Sequence, residues 1–398
     1  MALWVIFFVN GAVLASWAPR IPQVTADLHL TDGQVGWVLL AVAAGSVPAL
    51  TGAAHLLRIV TAKSLCANTS VAFSAALPLI GLAPNGWALG GALVALGAAS
   101  GCLDVAMNTA AIDYQNRGGQ RILSRLHGGY SLGVLAGASS GALASMFDIT
   151  VLAHFATVST LLVVSALAAS WSLPSSSTQG VAIDPDAVGH YRPTAGICSG
   201  RTLAIPASIG VMAVAALLIE GMITDWSALL VSRDFGGGAT FGAVAVVAFS
   251  SSMFVSRSFG DLIVDRLGAA LTVWCAAAVV STTMLVGLLL QHQAWVAVIA
   301  VGCSGIVLGP LFPLLISEAD RCSNADAAVT AARVSAIGYG AYLVGPPFVG
   351  FLAEHLSLVT SFVLISCICS IALVFASTSL RSRDKSSCQE HRSLDLLE

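Results

Sequence analysis

The 398-residue sequence predicts an all-α membrane protein, twelve transmembrane helices in two pseudo-symmetric six-helix bundles. Three observations lead there. The chain is 57% hydrophobic and 9% charged, with a mean hydropathy of +0.88, whereas soluble domains carry about 25% charged residues. Apolar stretches of about 20 residues, the length that crosses a bilayer as a helix, recur twelve times. The basic residues alternate with those stretches in one register, as membrane topology requires.

The apolar stretches run 2–19, 34–54, 65–83, 87–112, 122–146, 149–172, 203–231, 238–258, 269–290, 294–317, 329–352 and 356–379. They are too long and too continuous for barrel strands. Lipid also demands that every backbone polar group be bonded within its own segment. Residues 1–17 lack a basic leader and read as the first span, not as a signal peptide. The longest polar interruption, LPSSSTQGVAIDPDAVGHYRPTAGICSGR at 173–201, reads as a linker. It separates an N-terminal bundle, 1–172, from a C-terminal bundle, 202–380. The polar tail, 381–398, is expected to be disordered.

A cytoplasmic N-terminus places Arg58, Lys63, Arg117, Arg121, Arg125, Arg192, Arg201, Arg257, Arg266, Arg321, Arg333, Arg381, Arg383, Lys385 and Arg392 inside. Only Arg20 and Arg233 fall outside. This bias supports an even number of spans, with both termini cytoplasmic. The net charge of −3 gives no sign of a nucleic-acid partner. The nine cysteines are scattered without a C-x-x-C and read as free thiols, neither a disulfide frame nor a metal site. No Walker sequence and no metal-ligand or catalytic-triad spacing is present, so the chain reads as a non-enzyme with no cofactor.

The two halves repeat one another. Span 1 holds N-G-x4-S-W (Asn10, Gly11, Ser16, Trp17) and span 7 holds E-G-x3-D-W (Glu220, Gly221, Asp225, Trp226). Span 5 opens R-x4-Y (Arg125, Tyr130) and span 11 opens R-x5-Y (Arg333, Tyr339). The 2–3 connection, GAAHLLRIV from Gly52, corresponds to the 8–9 connection, GDLIVDRLG from Gly260. Related halves with a midplane site between them are a transporter architecture.

Polar residues inside spans mark candidate function, because lipid makes them costly. On span 4, Gly97, Gly101, Asp104 and Asn108 share one helical stripe. The glycines allow close approach. Burial favours the neutral acid, so Asp104 can load a proton from one side and release it to the other. On span 5, His127 and Tyr130 share a face, and His127 lies at a depth similar to that of Asp104, at about 1.5 Å per residue. A His–Asp pair can relay protons or hydrogen-bond a polar solute. Arg125 reads as a cytoplasmic anchor. Span 7 brings Glu220, a second proton-coupling candidate, while Trp226 reads as an interfacial anchor. Asn10, Asn108, His127, Tyr130, Tyr339 and Tyr342 are the substrate-binding candidates. Gly309, Pro310 and Pro313 on span 10 form a hinge candidate, since proline removes a backbone donor and bends helices.

The stretch G-D-x3-D-R-x-G at Gly260, Asp261, Asp265, Arg266 and Gly268 resembles the loop motif of the major facilitator superfamily, in the position where that family carries it. The resemblance covers the chain apart from the tail. It implies that these residues, with Arg58 in the first-half copy, gate the cytoplasmic side. That first copy keeps Gly52 and Arg58 but has Ala53, Leu57 and Val60 at the other motif positions. LDVAMN on span 4 and FFVNGAVLASWAPRIP on span 1 resemble the fucose-permease-like branch of sugar/proton symporters. That resemblance puts Asp104 in the place of a coupling carboxylate and His127 in that of a substrate-contacting residue. The branch's acid late in span 1 is replaced by Ala18.

Together these features predict a secondary active transporter of a small polar solute, sugar-like, coupled to protons by alternating access. The proton gradient would be its energy source. It would work as a monomer in a lipid bilayer, the bacterial inner membrane. The competing readings are a proton-antiport exporter of drugs or metabolites on the same fold and a non-transporting membrane receptor.

Overall fold

A computed structural model of the chain describes residues 1–118, 123–173, 206–289, 293–322 and 327–394. The linker at 174–201, with the residues up to 205, lies outside the described residues, as do Arg121 and the side chain of Arg117. Described secondary structure is entirely helical. Two compact units emerge, one of residues 1–30 and 37–202, the other of residues 31–36 and 203–398.

The first unit contains α1 (Ala2–Trp17), α2 (Ile21–Asp27), α3 (Asp32–Leu56, whose first residues group with the second unit), α4 (Ala62–Gly81), α5 (Gly86–Gly118), α6 (Leu123–Met146) and α7 (Val151–Trp171). The second contains α8 (Ala207–Leu229), α9 (Gly238–Ser258), α10 (Gly260–Leu267), α11 (Ala269–Leu289), α12 (Ala294–Leu308), α13 (Leu311–Cys322), α14 (Ala327–His355) and α15 (Leu358–Leu394). Eleven segments among the described residues are long and apolar enough to cross a membrane. The twelfth, α6, has 24 residues but is diluted by glycine, serine and His127. The fold is the expected one of twelve membrane helices in two related six-helix bundles.

Local chemistry sets the helix starts. Thr61 Oγ1 accepts from Ser64 N–H at 3.1 Å, Asn85 Oδ1 from Ala88 N–H at 2.9 Å and Thr150 Oγ1 from Ala153 N–H at 3.3 Å. Each satisfies a donor left unpaired in a first helical turn.

Hydrophobicity does not distinguish lipid from a neighbouring helix, so close backbone contact joins the bundle. Along α6, Gly129, Gly133, Gly137 and Gly141 recur every fourth residue and lie against Trp4, Phe8, Ala12 and Pro19. Gly11 of α1 answers against Tyr130 and Val134. Gly97 and Gly101 of α5 lie on the backbone of Val42 and Ser46 in α3. The second unit repeats the scheme. Gly305 and Gly309 meet Ser252 and Ser256 of α9, and Gly338 and Gly345 of α14 meet Leu217 and Leu218 of α8. Spans 1 and 5 thus pair as 7 and 11 do, and spans 2 and 4 as 8 and 10 do.

Several expectations are corrected. Span 10 is two helices, α12 and α13, broken at Gly309–Pro310. Pro313 falls in the first turn of α13, where no backbone donor is lost. Arg20 is a fully buried side chain, not a free outer charge. Its Nη1 donates to Ser145 Oγ at 3.1 Å and its Nη2 to Ile149 O at 2.6 Å. Trp226 is also fully buried, so it is no interfacial anchor. The last helix runs on through the tail to Leu394, since extending an existing helix avoids the cost of nucleating one.

The loop motif forms the eight-residue helix α10. Gly268 ends it at φ +78° and ψ 159°, a conformation that only glycine adopts without strain. Asp265 and Arg266 are exposed, Gly260 lies against Pro310, and the Asp261 side chain lies outside the described residues. In the first-half copy, Arg58 is exposed and no residue from 52 to 60 has positive φ.

Candidate functional site

Each unit carries a polar cluster in the middle of its spans. In the first unit it centres on Asp104, in the middle of α5. Asn108, one turn on, donates through Nδ2 to the Asp104 carboxylate at 3.2 Å and to its backbone oxygen at 2.8 Å. The carboxylate also lies within electrostatic reach of His127 on α6. His127 sits edge-on to Phe7 of α1, with ring centroids 5.3 Å apart. Asp104 and His127 are both exposed on the surface of this unit. The glycine half of the α5 stripe is buried against α3 while the acid half opens toward α6. An acid that exchanges protons needs such an opening.

Asn10 does not share it. It is 6% exposed, and its Nδ2 donates to Met107 Sδ at 3.6 Å. That contact joins α1 to α5, so Asn10 is a packing residue here and not an open ligand. Tyr130 is half-buried beside the α1 contact, and Arg125 is exposed at the start of α6.

The second cluster centres on Glu220 of α8. Arg257, near the end of α9, donates from Nη2 to Glu220 Oε1 at 2.9 Å. Tyr342 of α14 hydrogen-bonds the same carboxylate, and its ring fills the space left by the missing side chain of Gly221. Thr224 Oγ1 donates back to Glu220 O at 2.8 Å. The Glu220 side chain is 13% exposed and that of Arg257 45%, so the arginine covers the acid and faces the opening itself. The Tyr339 side chain lies outside the described residues.

Sequence reasoning missed Arg257 as part of this cluster, because it was assigned to the cytoplasmic charge ring. The available signal was the position of Glu220, a mid-span acid that needs a cation when ionised, with Arg257 inside the last turn of the neighbouring span. No group of three or more His, Cys, Asp or Glu able to hold a metal occurs among the described residues. The described cysteines are free thiols, with Cys66 and Cys369 buried.

Comparison with known proteins agrees with this architecture. The chain is 30% identical over 353 residues to membrane protein MosC of Rhizobium meliloti, covering 88% of this chain and 83% of the relative. Its fold is similar to that of the nucleoside transporter NupG, with a TM-score of 0.71 at 12% identity over 95% of this chain and 98% of that one. It is also similar to that of a D-xylose–proton symporter, with a TM-score of 0.72 at 12% identity over 94% and 95% of the two chains. The family model described as Major Facilitator Superfamily matches residues 3–332. With that match spanning most of a twelve-helix, two-bundle chain, the protein belongs to the Major Facilitator Superfamily of transporters.

Proposed function

We propose that the protein is a secondary active transporter of a small polar, sugar-like solute, driven by protons through Asp104. The observation that carries this reading is the Asp104 group itself. It is an acid in the middle of a membrane helix, held by Asn108, facing His127 and open to its surroundings. A structural aspartate would be sealed and fully hydrogen-bonded, because a buried charge without partners is costly. An exposed one whose only hydrogen-bond donor among the described side chains is an amide can take and lose a proton as the cavity changes access.

Asn108, His127 and Tyr130 on the first unit carry groups that can hold hydroxyls of the solute. Amide, imidazole and phenol groups both donate and accept, which suits a polyhydroxylated ligand. Break-and-rock motion at Gly309–Pro310, with the α10 loop helix and Arg58 on the cytoplasmic side, would supply the change of access. The excess of basic residues in alternate loops supports cytoplasmic termini. With a bacterial relative at 30% identity, it supports residence in a bacterial inner membrane. Kinship with the fucose-permease-like branch belongs to this same proposal and rests on the LDVAMN stretch.

The test is uptake into proteoliposomes under an imposed inward proton gradient, over a panel of sugars, polyols and nucleosides. Gradient-dependent accumulation of at least one solute supports the reading. Gradient-driven expulsion identifies a proton-antiport exporter, and no flux of any solute overturns transport.

A further inference from the structure

Residues 31–36, the first turn of α3, group with the second unit, whereas the same helix from Trp37 onward belongs to the first. Two polar contacts attach that turn to the second unit. Arg233, in the π-helical turn Leu230–Asp234 that continues α8, donates to the Asp32 carboxylate from Nη1 at 2.6 Å and from Nη2 at 3.1 Å. Glu354, near the end of α14, accepts through Oε2 from Gly33 N–H at 2.8 Å. We infer that residues 31–36 are a releasable strap, fastened to the second unit by Arg233 and Glu354 in one access state and let go in the other.

The sequence T-D-G-Q at 31–34 builds the strap. Thr31 and Gln34 form a capping box. Thr31 Oγ1 accepts from Gln34 N–H at 3.3 Å, and Gln34 Oε1 accepts from Thr31 N–H at 3.0 Å. The Gly33 N–H is left without a partner inside its own helix, and Glu354, 321 positions away, supplies the acceptor. Its negative charge also suits the positive end of the α3 dipole. Behind these contacts two glycines bring backbone onto backbone. A side chain at Gly36 would strike Pro346 O, and one at Gly350 would strike Asp32 O. Arg233 is one of the two basic residues that the charge alternation sets apart, and the other, Arg20, is buried. Arg233 instead reaches Asp32, 201 positions away, and is steadied by Asp234, to which it donates from Nε at 3.0 Å and from Nη2 at 3.4 Å.

These contacts can be undone at small cost. The Arg233 side chain is 44% exposed, and Glu354 and Gln34 are exposed. Water replaces each partner on release, so no charge is left in hydrocarbon. A bidentate arginine–carboxylate pair fixes geometry, yet an exposed pair biases a two-state equilibrium by no more than about fivefold. The Gly36–Gly350 contact has no interlocking side chains at its centre, so lifting the strap repacks no core there. Further along α3, Val42 and Ser46 lie under Gly97 and Gly101 of α5. Helix α3 is thus anchored in one unit and only fastened to the other. The use of the strap in a change of access rests on the transporter reading above, but not on proton coupling through Asp104.

Pulsed electron paramagnetic resonance on the full-length protein in lipid nanodiscs tests this without substrate or flux. Genetically encoded spin labels replace Trp37, just past the strap, and Leu356, just past Glu354, both of them exposed. The distance distribution should contain a short and a long population. The ratio of long to short should rise about fivefold in Arg233→Gln and in Asp32→Asn, and rise in Glu354→Ala as well. Asp32→Arg combined with Arg233→Asp should bring it back toward the wild-type value, and all variants should unfold at the wild-type temperature. A single short distance in every variant overturns the inference, because the turn is then permanently fixed. A ratio that the variants leave unmoved, or that the charge swap fails to restore, overturns it too. So does a lowered unfolding temperature with no change in distance, which makes the pair a structural brace. None of these failures touches the reading of Asp104, which a flux measurement decides.

Discussion

Arg257 holds Glu220 inside one bundle, Nη2 to Oε1 at 2.9 Å, joining the last turn of one span to the middle of its neighbour. The pair is unequal, because the acid is mostly covered and the arginine is not. Removing the arginine strands the covered charge, whereas neutralising both groups does not. Arg257→Ala should therefore destabilise the protein by about 1–3 kcal/mol, between the values for exposed and buried pairs. Glu220→Gln combined with Arg257→Gln should recover most of that. Thermal unfolding in detergent, arranged as a double-mutant cycle, reads the difference.

The glycine ladder of α6 makes a contrasting prediction. A side chain at Gly133 would collide with the backbone of Phe8 and Ala12, whereas one at Gly90 on α5 would meet nothing within 4 Å. Gly133→Val should abolish stable expression or cost more than about 2 kcal/mol. Gly90→Ala should be neutral or stabilising by about 0.5–1 kcal/mol, as expected for glycine replaced in a helix. Fluorescence-detected size exclusion after heating separates the two outcomes.

The two loop-motif copies differ in backbone demand. Gly268 stands at φ +78°, while Gly52 lies in α3 without positive φ and with open space around it. Gly268→Ala should cost about 1–3 kcal/mol, and Gly52→Ala nothing measurable. Unfolding midpoints of the two variants, compared side by side, check this. The halves have therefore diverged in structure as well as in motif.

Span 10 yields a prediction about motion. Pro310 and Gly309 separate α12 from α13. Pro310→Ala restores a backbone donor and favours a continuous helix. It should leave stability unchanged or raised while slowing flux, a combination that a merely structural proline would not give. Initial transport rates and unfolding temperature, measured on one preparation, decide between them.

Much of this was legible in the sequence, for reasons visible in single residues. Span positions follow from hydropathy, and the break in span 10 follows from Gly309–Pro310. The spacing of Gly129, Gly133, Gly137 and Gly141 spells out a close helix contact. Rotational orientation was harder to read. Helix α1 is apolar all round, so nothing in its pattern says whether Asn10 faces a cavity or Met107. Charge counting placed Arg20 outside and Arg257 inside from their positions near span ends. It could not tell an arginine anchored in water from one that turns inward to Ser145 or Glu220. Trp226 misled because tryptophan near a span end usually marks the interface, and here the bundle buries it.

The central claim is that the Asp104 carboxyl couples protons to solute movement, and one variant addresses it most directly. Proteoliposomes bearing Asp104→Asn are assayed for solute counterflow, which needs binding and access change only, and for accumulation under a proton gradient. The account predicts counterflow close to wild type and accumulation reduced to the level of empty vesicles. Accumulation that persists in Asp104→Asn under the same gradient would contradict it.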